Sequence, residues 1–320
     1  MIGRPGSAAT TAAVAAAVAA AVVLALAAAP LVLAPYAVTV LTRILVFALL
    51  AMSLDLLVGI TGLPSLGHGA YFGAGAYAAG WVTLHASPSG PVALLVALAA
   101  GGLVAAAAGC VAVRARGIFF LMLTLAIGEI VQQLAESWHE VTGGSNGLYG
   151  IPAARVGGAA LVGDQAVHWW VLAVAATAAA GLWLLASSPF GHALRGIRDN
   201  EARMRALGYR VYGYKLAAFV VAGAVAGLAG GLLSAQQRLV TPAELGLGTS
   251  IPALLAVTIG GAGTLWGACV GAAVVVLVRD HLGASLGGHG SLLLGAVFVA
   301  VVYLLPGGAA RALSMPRRRG

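Results

Sequence analysis

SIPALLAVTIGGAGTLWGACVGAAVVVLV, residues 250–278, carries no Asp, Glu, Lys or Arg in 29 positions and is interrupted at its centre by IGGAGTLWG, residues 259–267. A hydrocarbon core about 30 Å thick takes roughly 20 helical residues to cross. The stretch is therefore longer than one crossing requires, and it is breakable in the middle. Three readings follow: one long crossing, a half-helix that enters and returns, or two short crossings. Entering and returning is allowed where the broken backbone is buried in protein or lines water. The choice sets the parity of the whole chain.

Working outward, apolar runs of crossing length cover roughly 11–34, 36–59, 66–86, 91–113, 117–137, 168–186, 215–238 and 290–305. The chain of 320 residues is 61% hydrophobic and 8% charged, with a mean hydropathy of +1.00, which excludes an ordinary soluble domain. The runs are long and continuous rather than short and alternating, so a β-barrel is excluded as well. The fold expected is an all-α integral membrane protein, a single transmembrane domain over 1–320. It has about eight full crossings plus the broken or re-entrant segment.

Charge gives the orientation. The net charge of +8 would point to nucleic acid in a soluble protein; in a membrane protein, its distribution first reports which loops stay inside. Placing Arg4 inside puts Arg114 and Arg116 inside, together with the stretch 188–215 and the basic tail 307–320; loop 138–167 then lies outside. Thirteen of the 17 Lys and Arg residues fall on the cytoplasmic side: Arg4, two before the fifth span, six in 188–215 and four at the C-terminus. A single crossing at 250–278 would put that tail outside. A hairpin or a pair of short crossings leaves both ends inside. The first apolar run exceeds the length of a signal-peptide core, so an uncleaved first helix is expected.

Small residues permit close helix contacts, as in SLGHGAYFGAGAYAAG, residues 65–80. GAYFGA at 69–74 is echoed by GACVGA at 267–272, each after a Gly-rich turn, the pattern an inverted repeat would leave. Cys110 and Cys269 lie in apolar, small-residue runs and read as buried structural thiols.

Ionisable and polar groups inside spans mark interiors or solute paths. Asp55 lies near the cytoplasmic end of the second span, Ser65 and His68 lead into the third, and Glu129 and Gln133 share a face of the fifth at i and i+4, which suits an inward polar cluster. Arg43, nearer the outer end of the second span, reads as snorkelling to the interface. Asn146 sits in VTGGSNGLYGIP, residues 141–152, a turn-rich loop at the outward mouth. No phosphate loop, nucleophile elbow or helical His pair at metal spacing occurs. His281 and His289, separated by a Gly-rich stretch, read as solvated loop residues.

The main polar excursion is SPFGHALRGIRDNEARMRALGYRVYGYK, residues 188–215, with six basic and two acidic side chains. One short helix over about 193–207 fits, closed by Gly208 at C′. Leu194, Ile197, Met204 and Leu207 fall near one face, with Arg198, Asp199, Arg203 and Arg205 elsewhere. Binding to anionic lipid would explain the Arg residues. The mixed charge and fixed ends better suit docking into a cleft on a soluble protein.

Five blocks in order, GLPSLGHGAYFGAGAYAA, RGIFFLMLTLAIGEIV, TGGSNGLYGIP, the stretch from Ser188 to Leu232 and GGAGTLWGACVGAA, resemble those of the branched-chain amino acid permeases of ATP-binding cassette importers. The M-type subunit is the nearer resemblance. It implies a dimer of two related permeases, two cytoplasmic ATPase subunits and an external solute-binding protein, embedded in membrane lipid, with no nucleic acid partner. Within 188–215, Arg198, Glu201, Ala202, Met204, Leu207 and Gly208 then resemble the ATPase-coupling segment. The spacing from Glu-Ala to Gly is one residue longer than in the commoner motif. The chain would bind no cofactor itself, ATP being used by the partner subunits.

The resemblance implies branched-chain amino acids as cargo, although similar permeases serve urea or short amides. Two other classes are weighed by their requirements. An ion-coupled transporter or channel should place coupling ions on intramembrane charge, and a membrane enzyme needs convergent acid, base or metal groups, which the sequence does not offer.

Overall fold

The computed structural model describes residues 6–282 and 290–304. Arg4, His289 and the basic tail over 307–320 lie outside the described residues, as does the side chain of His281. Ten main helices follow the apolar runs: α1 (Gly6–Val32), α2 (Pro35–Asp55), α3 (His68–His85), α4 (Gly90–Ala112), α5 (Ile118–Ser137), α6 (Asp164–Ser187), then two short surface helices α7 (Pro189–Asp199) and α8 (Glu201–Ala206), and α9 (Val211–Gln237), α10 (Leu247–Gly260), α11 (Leu265–Val276) and α12 (Gly290–Leu304). Among the described residues, five of these helices are long and apolar enough to cross a membrane: α2 with its continuation to Thr61, α4, α5, α6 and α9. The chain is an all-α, multi-span membrane protein.

The stretch 250–278 resolves into two helices, α10 and α11, packed against each other and joined by a tight turn at Gly261–Thr264. Gly261 and Gly263 hold φ of 101° and 90°, a left-handed backbone that side chains with a Cβ rarely adopt. That requirement explains the break. Gly271 lies where a Cβ would meet Ala256 O at 1.9 Å, so the two arms touch backbone to backbone. A single long crossing is excluded. α10, at 14 residues, rises about 21 Å.

Contacts at the two ends of the bundle place the loops. At one end, Tyr212 donates to Cys110 O and Arg116 pairs with Glu201, bringing α7, α8, the start of α9 and the α4–α5 turn together. At the other end, two-residue strands β1 (Leu148–Tyr149) and β4 (Leu239–Val240) pair antiparallel, and β2 (Arg155–Val156) pairs with β3 (Ala159–Ala160). Gln236 donates to Thr39 O there, and Arg238 to Leu161 O.

The centre of the bundle is α9 laid against α3 and α4 with almost no side chain between them. A Cβ on Gly227 would lie 2.4 Å from Ala97 O, one on Gly75 2.2 Å from Gly227 O, and one on Gly230 1.9 Å from Phe72 O. Lipid tails are as apolar as leucine, so helices in a membrane are held by such close packing and by interhelical hydrogen bonds. His168 illustrates the second kind. Its Nε2–H donates to Leu26 O, leaving Nδ1 to accept from the Thr42 hydroxyl at 2.8 Å, which ties α1, α2 and α6. Cys269 is partly buried, but Cys110 is exposed at the end of α4, contrary to the expectation of two buried thiols.

Candidate functional site: the α7–α8 knob and its junction with the bundle

The single helix expected over 193–207 is two. Asn200 takes an extended conformation (φ −158°, ψ 96°) and its side chain accepts from Arg203 N at 2.9 Å, capping α8 as it ends α7. Asparagine is among the best N-cap residues, and here it competes successfully with helix continuation. Gly208 sits just past the end with φ 86°, as expected of a C′ glycine. The chain enters the knob through Ser188, whose hydroxyl accepts from Gly191 N at 3.4 Å, with Pro189 in the first turn of α7.

The break rotates the apolar positions. Ile197 and Met204 are buried, packing with Ala193 and Val211, and Leu194 is buried in the main core, whereas Leu207 is 66% exposed. The expectation that Leu207 shares the buried face therefore fails. Ala202, Leu207 and Gly208 form the exposed side of the knob, and Met204 belongs to its base.

Two charged residues of the knob turn inward. Glu201 collects Lys215 at 2.9 Å, Arg116 at 3.4 Å and Arg205 one turn on. Partial burial opposes its charge, but the hydrogen bond and charge of Lys215, with Arg116 and Arg205, outweigh it and hold the carboxyl below its ordinary value. Glu201 thus joins α8 to the start of α9 and to the α4–α5 turn. Arg198, expected to lie off the apolar face of the knob, reaches back and donates from Nη1 to Gly59 O at the end of α2.

That contact lies at the tip of the α10–α11 hairpin. Asp55 is fully buried, and its Oδ1 accepts from Gly263 N at 2.7 Å. Gly59 abuts the same turn, where a Cβ would meet Gly263 N at 2.0 Å, and a Cβ on Gly263 would lie 3.6 Å from Arg198 Nη1. The end of α2, the hairpin tip and α7 therefore meet at one point. Asp55, proposed from sequence as a polar group of a solute path, is the bond that holds this junction.

The remaining path candidates are not brought together. Ser65 and His68 are fully buried beside α2, His68 Nε2 lying 2.9 Å from Ser53 Oγ and its ring edge-on to Tyr71 at 5.6 Å. Glu129 and Gln133 face outward from α5 among exposed Ile130 and Leu134, so the inward cluster expected of them does not form within the chain. The polar residues of α5 that face the interior include fully buried Thr124, which accepts from Leu66 N at 3.2 Å, and partly buried Gln132, which donates to Glu136 at 3.0 Å and lies beside Gly246. Asn146 is exposed in a single 3₁₀ turn at the opposite end of the bundle.

Sequence reasoning missed one polar group. A cavity of about 200 Å³ between α2, α3, α9 and the α10–α11 pair is lined by Arg43, Glu244, Thr249 and Arg279. Arg43 lines this cavity rather than reaching for an interface. The signal available was the pair of charges, Arg43 within the second apolar run and Arg279 just past the end of the 250–278 run.

A bundle of close-packed apolar helices, with one polar two-helix knob tied to its inner elements, defines a multi-span membrane component of a transport system. The chain belongs to the family described as branched-chain amino acid transport system / permease component, whose model matches residues 36–302. It is 29% identical over 312 residues to the high-affinity branched-chain amino acid transport system permease protein LivM of Escherichia coli K12, covering 87% of this chain and 71% of that one. The LivM of Salmonella typhimurium LT2 gives the same identity and coverage. The autoinducer 2 import system permease protein LsrC of Salmonella paratyphi B is 32% identical over 213 residues, covering 62% of this chain and 59% of that one. No solved structure gives a significant match.

Proposed function

We propose that this chain is a membrane subunit of an ATP-binding cassette importer in a bacterial-type cytoplasmic membrane, moving branched-chain amino acids inward. It pairs with a related permease, is driven by two cytoplasmic ATPase subunits and is loaded by an external solute-binding protein. ATP belongs to the partner subunits, and this chain contributes no catalytic residue. Both ends and the α7–α8 knob face the cytoplasm, in keeping with the basic residues gathered there. The similarity to LivM supports the amino-acid cargo; the similarity to LsrC supports the importer role with a different solute. Urea or short amides are the alternative cargo.

The observation that carries this reading is a knob clamped on its inner side and open on its outer one. Glu201 and Arg198 are engaged by the bundle, while Leu207 and Ala202 face away from it. An exposed leucine on a polar support offers an aliphatic anchor for a pocket on a partner. Closure of the ATPase dimer would pull on α7 and α8. Arg198 would pass that motion to Gly59 and the hairpin tip, and Glu201 would pass it to α9. Motion follows only if the ATPases bind one arrangement of the knob better than the other.

The test is co-purification from detergent-solubilised membranes. Wild type should bring down an ATPase subunit and Leu207→Asp should not, with both chains inserted at equal levels. Equal retention by the two would remove the knob from the interface, and no ATPase with either would favour ion-coupled transport.

A further inference from the structure

The α4 helix crosses with only one side against the bundle. Its outward side carries Leu95, Leu103, Ala107 and Val111, exposed and aliphatic, the last three one turn apart on a single face. The exposed side of α5 differs, since it holds Glu129 and Gln133. The α4 stripe ends on a cation. Arg114, exposed, is held over the Tyr212 ring at 5.7 Å, and the Tyr212 hydroxyl donates to Cys110 O at 3.1 Å. Arg210, two residues before Tyr212, is exposed as well. The carboxylates at this end of the bundle are engaged elsewhere: Asp55 accepts from Gly263 N, Asp199 pairs with Arg198, and Glu201 pairs with Lys215, Arg116 and Arg205. Among the described residues, Arg114 and Arg210 have no acidic partner.

We propose that Arg114, Tyr212 and Arg210 form a site for the headgroup of an anionic phospholipid in the leaflet on the knob's side, with an acyl chain lying along α4. The inference needs the membrane crossings but not the cargo. Position is the first argument. α4 and α9 both cross, and Arg114 and Tyr212 stand where those crossings end on the same side, at the level of headgroups and of interfacial aromatic rings. Length is the second: from Leu103 to Arg114 is about 16 Å, close to half of the roughly 30 Å core and so to the depth of one leaflet. Charge decides the headgroup. Arginines beside a membrane surface attract anionic lipid, and a guanidinium held over a ring keeps its N–H edge free to meet two phosphate oxygens. A choline headgroup gains nothing here, because Arg114 already covers the ring face and two cations repel its ammonium. A second protein subunit is the poorer occupant. The stripe offers it only aliphatic contact, which lipid tails supply equally well.

The experiment is native mass spectrometry of the full chain in a neutral detergent, titrated with dioleoyl phosphatidylglycerol and with dioleoyl phosphatidylcholine, which share their acyl chains. Wild type is expected to bind phosphatidylglycerol about tenfold more tightly. Arg114→Gln and Tyr212→Ala should each cut that preference about fivefold, the share of one arginine near the surface. Arg195→Gln removes a basic side chain already bonded to Ala186 O and should leave the preference unchanged. Equal affinity for the two lipids in wild type overturns the site without recourse to any variant. A preference that survives Arg114→Gln, or falls equally in Arg195→Gln, overturns it as well, the second outcome assigning the effect to surface charge in general. Displacement of the lipid by excess inorganic phosphate at constant ionic strength would make this a site for free anions and overturn the lipid assignment. Loss of the preference once a second permease subunit is bound would give the α4 face to that subunit, and overturn it too.

Discussion

Gly59→Ala tests the junction between the knob and the bundle at a single atom. The added methyl would lie 2.0 Å from Gly263 N and 2.2 Å from Asp55 Oδ1, where real contacts are essentially never closer than 3.0 Å. The hairpin tip must retreat by about 1 Å, and the 2.7 Å bond from Gly263 N to Asp55 then stretches beyond hydrogen-bond range. Overpacking costs about 1–3 kcal/mol, and a lost hydrogen bond to a charged group about 1.5–3 kcal/mol. Replacing glycine by alanine in helical backbone returns up to about 1 kcal/mol. The net loss is about 3 kcal/mol, or roughly a hundredfold in the folded-to-unfolded ratio. Thermal unfolding in nanodiscs, followed by tryptophan fluorescence, should show a melting temperature lowered by several degrees. ATPase activity in the assembled complex should persist while uptake falls, because the tip no longer follows α7. A variant with wild-type melting and wild-type coupling would refute the role given to this contact.

Two further outcomes follow from the packing and charge of the same chain. Gly230→Ala places a methyl 1.9 Å from Phe72 O between α9 and α3 and should destabilise by about 1–3 kcal/mol, whereas Gly213→Ala on the same helix meets nothing within 4 Å and should be neutral or stabilising by up to about 1 kcal/mol; equal melting temperatures for the two would contradict the packing described. Glu201 has its carboxyl held below the ordinary value of 4.5, so its contribution is full above that value and is lost as pH falls through the lowered one. Melting of wild type and Glu201→Gln should therefore differ at neutral pH by about 2 kcal/mol and converge in acid; a gap that persists in strong acid would place the stabilisation elsewhere.

Span positions were legible because crossing length and hydropathy are properties of a run: α4, expected at 91–113, lies at 90–112. The break in 250–278 was legible from glycines that allow a turn. Facing was not. In α5 the outward side is as apolar as the inward one, since lipid and protein interior make the same demand, so nothing in the sequence separates Gln132 from Gln133. The knob was misjudged for a local reason: a single Asn cap at position 200 splits the helix and turns Leu207 outward. Arg198 and Asp55 were both singled out, but their meeting at Gly59 and Gly263 depends on a contact 139 residues apart in sequence, which no local pattern encodes.

The most direct measurement of the central claim is site-specific cross-linking in assembled complexes. Single cysteines at position 207 and at position 204 would be compared in a background with Cys110 and Cys269 replaced by serine. The account predicts a cross-link from Leu207→Cys to an ATPase subunit and none from Met204→Cys, because Leu207 is exposed and Met204 is 9% exposed at the base of the knob. Equal cross-linking from both positions, or none from position 207 in a complex that retains its ATPases, would contradict it.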